Sequence, residues 1–236
     1  MKQIDILVAD CPWAFSDKLK QSKVKRGAEA NYKGVLSIDD LKALPIKELV
    51  AKDSILVLWC PSSILPEGLE VMKSWGFSFK QTHIWVKVKK NVLFSLISNI
   101  KKIFSNFLNQ KITAKTVSST SFDLGSVLSF GMGRLFRQTH EIALVGVRGK
   151  IYDKLKNKSQ RSVHFGSVTK HSEKPEILQD MLDKMFTDPD LVKVELFARR
   201  DRPNWICTGN ENPSTLGEDI RDFIERFKQD ENIKIG

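Results

Sequence analysis

Apolar residues fall along this chain in two rhythms. Short, mostly apolar runs, Ile4 to Ala9 and Ser54 to Trp59, alternate with stretches whose apolar positions recur every three or four residues. These runs are rich in apolar and β-branched residues and read as strands buried on both faces, as in a parallel sheet. Phe77 to Lys87, Glu141 to Val147, Leu191 to Arg199 and Trp205 to Cys207 complete the strand set. Helical spacing predicts a helix from Ile38 to Leu44, ahead of Pro45, and another from Leu65 to Trp75, stopped by Gly76. The stretch 171–186 predicts a helix with Ser172 as N-cap and Pro175 in its first turn. Its apolar positions, Ile177, Leu178, Met181, Leu182 and Met185, form one face. The tail from Ser214 to Lys228 also reads as helical. Strands alternating with helices give an α/β class, with a mostly parallel sheet and flanking helices.

Two segments break the alternation. Residues 17–34, DKLKQSKVKRGAEANYKG, contain little that could form a core. Residues 91–130 begin with apolar positions 92, 93, 96, 97, 100, 103, 104, 107 and 108, an amphipathic helix, and continue into the polar KTVSSTS. That helix is expected to pack on the domain. A membrane-surface or subunit-contact role is the alternative, with few lysines on the polar face to favour it. The chain thus reads as a single domain, 1–236, with an insertion at 91–130 and a helical tail at 213–236.

Composition narrows the partners. Of 236 residues 41% are hydrophobic, enough for a substantial core. No window of 18 apolar residues is free of charge, and no signal pattern opens the chain, so no membrane contact is expected. Cys11, Cys60 and Cys207 are too widely spaced for a disulfide framework or a zinc motif, which points to a reducing, cytoplasmic setting and no metal. The net charge of +10 and pI near 9.5 favour a polyanionic partner, most simply nucleic acid. The basic residues of 17–34, Lys23, Lys25 and Arg26 among them, suit a loop that grips phosphates. A solvated loop without a role has the same composition.

The first strand run ends in Asp10-Cys11-Pro12-Trp13. Pro12 cannot donate a ladder hydrogen bond, so it closes the strand. Asp10 then lies at the carboxyl end of a strand, where open α/β sheets bind ligands. An ordinary strand-ending turn uses the same residue types.

Eight segments in order, ADCPW, NYKGVLSIDDL, ILVLW, WGFSFKQTHIWVK, HEIALVGVRG, HSEKP, VELFARR and PNWICTGNE, resemble the MT-A70 family of adenine-N6 methyltransferases. The resemblance covers roughly residues 4–90 and 131–212. It implies a Rossmann-like methyltransferase fold in permuted order, with the catalytic motif ahead of the cofactor-binding strand. It implies S-adenosylmethionine as methyl donor and an adenine in DNA or RNA as acceptor, DNA being favoured. It also implies a homodimer or a paired methyltransferase-like subunit as partner.

The resemblance assigns roles by position. The Asp10 carboxylate and the Cys11 carbonyl would accept from the two N6–H bonds, Pro12 would fix that carbonyl, and Trp13 would offer a face to a flipped base. Position 11 is usually proline in the family; cysteine serves a main-chain role with less rigidity. Tyr32 and Trp85 match residues beside the target base, although both also read as packed aromatics. Ser172 and Lys174 match residues at the methionine end of the cofactor, with Lys174 on its carboxylate beside a helix N-terminus. Glu195, Arg199, Asn210 and Glu211 match the ribose side; taken alone, Glu195 and Arg199 read as a surface ion pair. His140 and Glu141 match a His-Glu pair expected to be structural, and Cys60 and Cys207 read as core thiols. A catalytically inactive nucleic-acid-binding subunit is the alternative function, and the presence of Asp10 argues against it. Methylation of an amine or amide on protein suits the basic charge less well.

Overall fold

The computed structural model describes residues 2–14, 35–108, 125–131, 135–169 and 173–229. In chain order the elements are β1 (Ile4–Ala9), α1 (Ile38–Ala43), α2 (Ile46–Leu49), β2 (Val50–Cys60), α3 (Leu65–Ser74), β3 (Ser78–Val88), α4 (Val92–Leu108), β4 (His140–Arg148), β5 (Val163–Ser167), α5 (Ile177–Met185), β6 (Lys193–Leu196), β7 (Ile206–Thr208) and α6 (Ile220–Gln229). They group into two compact units. The first takes Met1–His83, Ile142–Ser162 and Glu176–Gly236; the second takes Ile84–Glu141 and Val163–Pro175.

In the first unit the strands run in the order β4-β2-β1-β6-β7. The β1 strand pairs in parallel with β2 on one side and β6 on the other, and β6 with β7. The β4 strand is antiparallel to β2. This is the mostly parallel, helix-flanked, Rossmann-like sheet that the resemblance implies. All six residues of β1 are buried, including Asp5, whose carboxylate accepts from Lys154 Nζ at 2.8 Å and from the Val192 N–H at 2.9 Å. Alternate residues divide between the two faces. Leu7 and Ala9, with Leu56, Leu58, Val194 and Leu196, join a core with Leu41 of α1, Val71 and Met72 of α3, and Phe223, Ile224 and Phe227 of α6. Each large side chain so buried contributes about 1.5–3 kcal/mol. The α1 helix starts at a capping box between Ser37 and Asp40, and α3 ends ahead of Gly76, whose φ is +87°.

Several boundaries differ from the sequence reading, each for a physical reason. The β2 strand begins at Val50 rather than Ser54, because the register shifts between Ile4 and Ile6 and accommodates the polar Lys52 and Asp53. The α5 helix begins at Ile177, not at the Ser172 cap; its N-cap is Glu176, without a side-chain capping bond, and Pro175 precedes the helix. Its buried positions are Leu178, Gln179 and Leu182, while Ile177 is 36% exposed. The β6 strand stops at Leu196 because Phe197 turns into the left-handed region at φ +61°. In the tail, a short 3-10 turn over Pro213–Thr215 precedes a helix that begins only at Ile220.

In the second unit β3 pairs in parallel with β5, a strand the sequence does not announce because VHFGS is short and partly polar. The α4 helix forms where its spacing predicts. Phe94, Ile97, Ile100, Phe104 and Leu108 are exposed, while Val92 and Leu96 are half-buried. No helix among the described residues is long and apolar enough to cross a membrane.

Candidate active site at the carboxyl edge of the sheet

The Asp-Cys-Pro-Trp motif leaves β1 under tight main-chain control. The Asp10 N–H donates to the Leu196 carbonyl at 3.4 Å, the last tie to β6. The Trp13 N–H donates to the Cys11 carbonyl at 2.9 Å, a three-residue turn with Pro12 at its centre. The Leu36 N–H donates to the Pro12 carbonyl at 3.0 Å and the Ala14 N–H to the Leu36 carbonyl at 2.9 Å, which fastens the motif to the segment before α1. The Cys11 carbonyl therefore has one lone pair engaged and a second available, in a direction set by the turn. Its thiol lies in the core, and burial, then Asp10 and Cys60, push it well above the usual thiol range. Only the main chain of Cys11 can serve a ligand, in line with the role the family pattern gives this position.

Trp13 requires a correction. It is 4% exposed, sits in the core cluster, and its indole N–H donates to the Trp59 carbonyl at 3.0 Å. Its ring anchors the motif to the end of β2 rather than offering an open face to a base. The apolar body and single donor of tryptophan suit such an anchor.

The strand order explains which carboxylates meet. After β1 the chain moves to β2 on one side; β6, far later in sequence, pairs on the other. The order reverses between β1 and β6, the switch point where open α/β sheets carry their ligand crevice. Glu195 pairs in register with Val8, so it shares the alternation that Asp10 continues. The two carboxyls lie close enough that Asp10 acts electrostatically on Glu195. Burial is the main cause that raises Glu195 from 4.5 to about 7; Gln179 and Arg200 pull it back, and Asp10 pushes it further up. The Gln179 amide donates to Glu195 Oε2 at 2.9 Å. Arg199 lies 3.6 Å from Glu211, so the arginine pairs with Glu211 as well as lying near the strand end. Beyond β7, Gly209 packs its Cα against the main chain of Ala198, where a Cβ would stand 2.3 Å from the carbonyl oxygen. Asn210 and Glu211 follow directly, and the Asn210 carbonyl accepts from the Gly217 N–H at 3.0 Å. Cys60 and Cys207 are core thiols, each pushed up to about 12, chiefly by burial.

The raised pKa of Glu195 carries a stability prediction. A carboxyl whose folded value lies above its unfolded one favours folding fully below the unfolded value and loses that contribution as pH rises through the folded one. Between 4.5 and about 7 this amounts to about 3 kcal/mol. Glu195→Gln is therefore expected to raise the melting temperature at pH 8 and leave it nearly unchanged at pH 5, read by calorimetry at the two pH values. An equal shift at both would contradict the assignment.

In the second unit, Lys174 lies 3.1 Å from Glu141, and Lys87 2.6 Å from the same carboxylate. Burial would raise Glu141, but Lys174 and Lys87 outweigh it and hold the group below the usual range. The His-Glu pair of the sequence thus supplies, through Glu141, a bridge between two lysines. Trp85 is 2% exposed, its indole N–H donates to the Gly166 carbonyl at 2.9 Å, and its ring stacks with His164 at 6.5 Å. This is the packed-aromatic reading of Trp85, not an open pocket wall. Ser172, Tyr32, Lys23, Lys25 and Arg26 lie outside the described residues. Gln179, a core-face glutamine on α5, escaped the sequence reading, because a single polar residue in an amphipathic helix carries no sign of what it faces.

The profile of the MT-A70 family matches residues 4–103 and 110–211. A type II methyltransferase, M.MunI, of a Mycoplasma species is 25% identical over 229 residues, spanning 90% of this chain and 79% of its own. The human N(6)-adenine-specific methyltransferase METTL4 is 24% identical over 217 residues, 89% of this chain and 38% of its own. The human N(6)-adenosine-methyltransferase catalytic subunit METTL3 is 25% identical over 226 residues, 95% of this chain and 30% of its own. The chain spans well under half the length of the two human relatives.

Proposed function

Because the chain belongs to the MT-A70 family, we propose that it transfers a methyl group from S-adenosylmethionine to the N6 amine of adenine in nucleic acid. The observation that carries this reading is Asp10 at the end of β1, beside a constrained main-chain carbonyl and a buried second carboxyl at the switch point. The N6 lone pair is delocalised into the purine, so the amine is a weak nucleophile. The Asp10 carboxylate accepts from one N6–H and the Cys11 carbonyl, through its second lone pair, from the other. Both bonds strengthen as positive charge develops on nitrogen, which is differential binding of the transition state. Asp10 is also the group to take the proton that the methylated amine sheds.

The donor set fits S-adenosylmethionine, which supplies a methyl group activated by its sulfonium. Buried Glu195 and the amide of Asn210 suit ribose hydroxyls. The negative charge of Asp10 suits a cationic centre, and no phosphate loop is needed for a cofactor without phosphate. Lys174 is the side chain we assign to the cofactor's carboxylate, in exchange with Glu141. Arg199 and Glu211 border the ribose side. We assign Lys23, Lys25 and Arg26 to substrate phosphates and Tyr32 to the target base. DNA is the acceptor we favour, by analogy with compact methyltransferases that lack further domains, and we assign a cytoplasmic setting from the three widely spaced cysteines.

The test is to offer methyl-labelled S-adenosylmethionine with single- and double-stranded DNA and RNA, then digest to nucleosides. Label in N6-methyladenine from one of the four is expected. Label absent from adenine in all four overturns the proposal.

A further inference from the structure

Gln179 is 2% exposed on the core face of α5, between Leu178 and Asp180. A buried amide destabilises unless its hydrogen bonds are met. Its N–H meets Glu195 Oε2 at 2.9 Å, but its Oε1 is buried without a donor among the described residues. Packing alone would favour an apolar residue here, like the Leu178 and Leu182 beside it; such local violations concentrate at functional sites. The α5 helix is also locked in place above β6. Arg202 donates to Glu176 at 3.1 Å, Asp180 at 2.6 Å and Asp183 at 2.8 Å, and the Trp205 indole donates to Asp183 at 3.1 Å. Gln179 therefore reaches Glu195 from a fixed platform.

We propose that Gln179 is a positioning residue for the cofactor: its amide N–H holds the Glu195 carboxylate ionised and oriented so that the remaining oxygen accepts from the ribose hydroxyls. The inference rests on the methyl-donor reading above and adds the residue that makes the ribose contact available at neutral pH. Every group facing Glu195 enters the balance. Asp10 at the end of β1 disfavours its ionised form, Arg200 and Arg202 after β6 favour it, and Cys207 on β7 is neutral. Both arginines are already engaged, Arg200 with Glu176 and Arg202 with three carboxylates of α5 and its N-cap. The directed amide bond is what remains to hold the geometry.

The test is titration calorimetry with S-adenosylhomocysteine from pH 6 to pH 8.5, on the unaltered chain, Gln179→Met and Glu195→Gln. Methionine keeps the length and packs in a core. The unaltered chain is expected to bind more weakly towards pH 6. Gln179→Met should shift that fall upward by about a pH unit, so that affinity drops about fivefold at pH 7 and largely recovers by pH 8.5. Glu195→Gln should remove the fall. In turnover, the KM for S-adenosylmethionine should rise more than kcat falls. A loss in Gln179→Met that is equal at every pH marks mere packing and overturns the proposal, as does a flat profile for the unaltered chain, a result that needs no variant to fold. If the unaltered chain binds no S-adenosylhomocysteine at any pH, the methyl-donor reading itself falls and takes this inference with it.

Discussion

Asp10→Ala is expected to lower the methyl-transfer rate by roughly a thousandfold while leaving the fold intact. The loss matches the roughly 3–4 kcal/mol attached to a single oriented group that stabilises transition-state charge in a water-poor site. The main-chain ties of residue 10 are kept in the variant: its N–H donates to the Leu196 carbonyl, and main-chain bonds among Cys11, Pro12, Trp13, Ala14 and Leu36 hold the turn that follows. Single-turnover rates on adenine-containing substrate, with melting temperatures alongside, separate the two effects. A variant that keeps its full rate would remove Asp10 from the chemistry and leave the Cys11 carbonyl as a lone acceptor.

Gly209→Ala is expected to destabilise the chain by on the order of 3 kcal/mol and to abolish cofactor binding. A Cβ at this position would lie 2.3 Å from the Ala198 carbonyl oxygen, 2.8 Å from the Ala198 nitrogen and 2.9 Å from the Phe197 carbonyl carbon. All three are main-chain atoms, so no flexible side-chain end can yield. The Ala198 N–H also donates to the Thr208 carbonyl at 2.8 Å, and Phe197 already occupies the left-handed region at φ +61°. Relief requires prising the end of β6 from β7, which displaces Glu195 and Asn210 together. Gly217→Ala is the control: its φ of +82° carries backbone strain, yet nothing lies within 4 Å of the added carbon. It should cost about 1 kcal/mol. Urea midpoints at constant slope give both numbers, and equal losses in the two variants would rule out the close approach as the cause.

The Asp-Cys-Pro-Trp motif is legible because its pattern is local. An apolar run, a carboxylate, a proline and a tryptophan in succession fix a strand end and the turn after it. The β1 strand falls on Ile4–Ala9 as the residue pattern predicts, and α3 ends at Ser74, one residue before the predicted Trp75 and ahead of Gly76. Elements whose limits depend on distant partners do not follow their pattern. The α5 helix starts at Ile177 although Ser172 and Pro175 have the residue types of a cap. The β6 strand is shorter than its apolar run because Phe197 turns against β7. Trp13 and Trp85 show the same divide from the side of function. Their types suit a base-stacking face, yet each is sealed by an indole bond to a carbonyl, Trp59 for one and Gly166 for the other.

By itself the sequence determined most of the strands and helices, β5 and α2 excepted, the place of Asp10 at a strand end, and which family the chain resembles, since these depend on residue type and short-range spacing. Only the tertiary structure decided that β4 runs antiparallel, that Glu195 comes beside Asp10, and that Gln179 holds it. Periodicity reports whether a residue is buried, but not what it is buried against. That depends on strands far apart in the chain finding a common register, and on the desolvation that raises a carboxyl once they do.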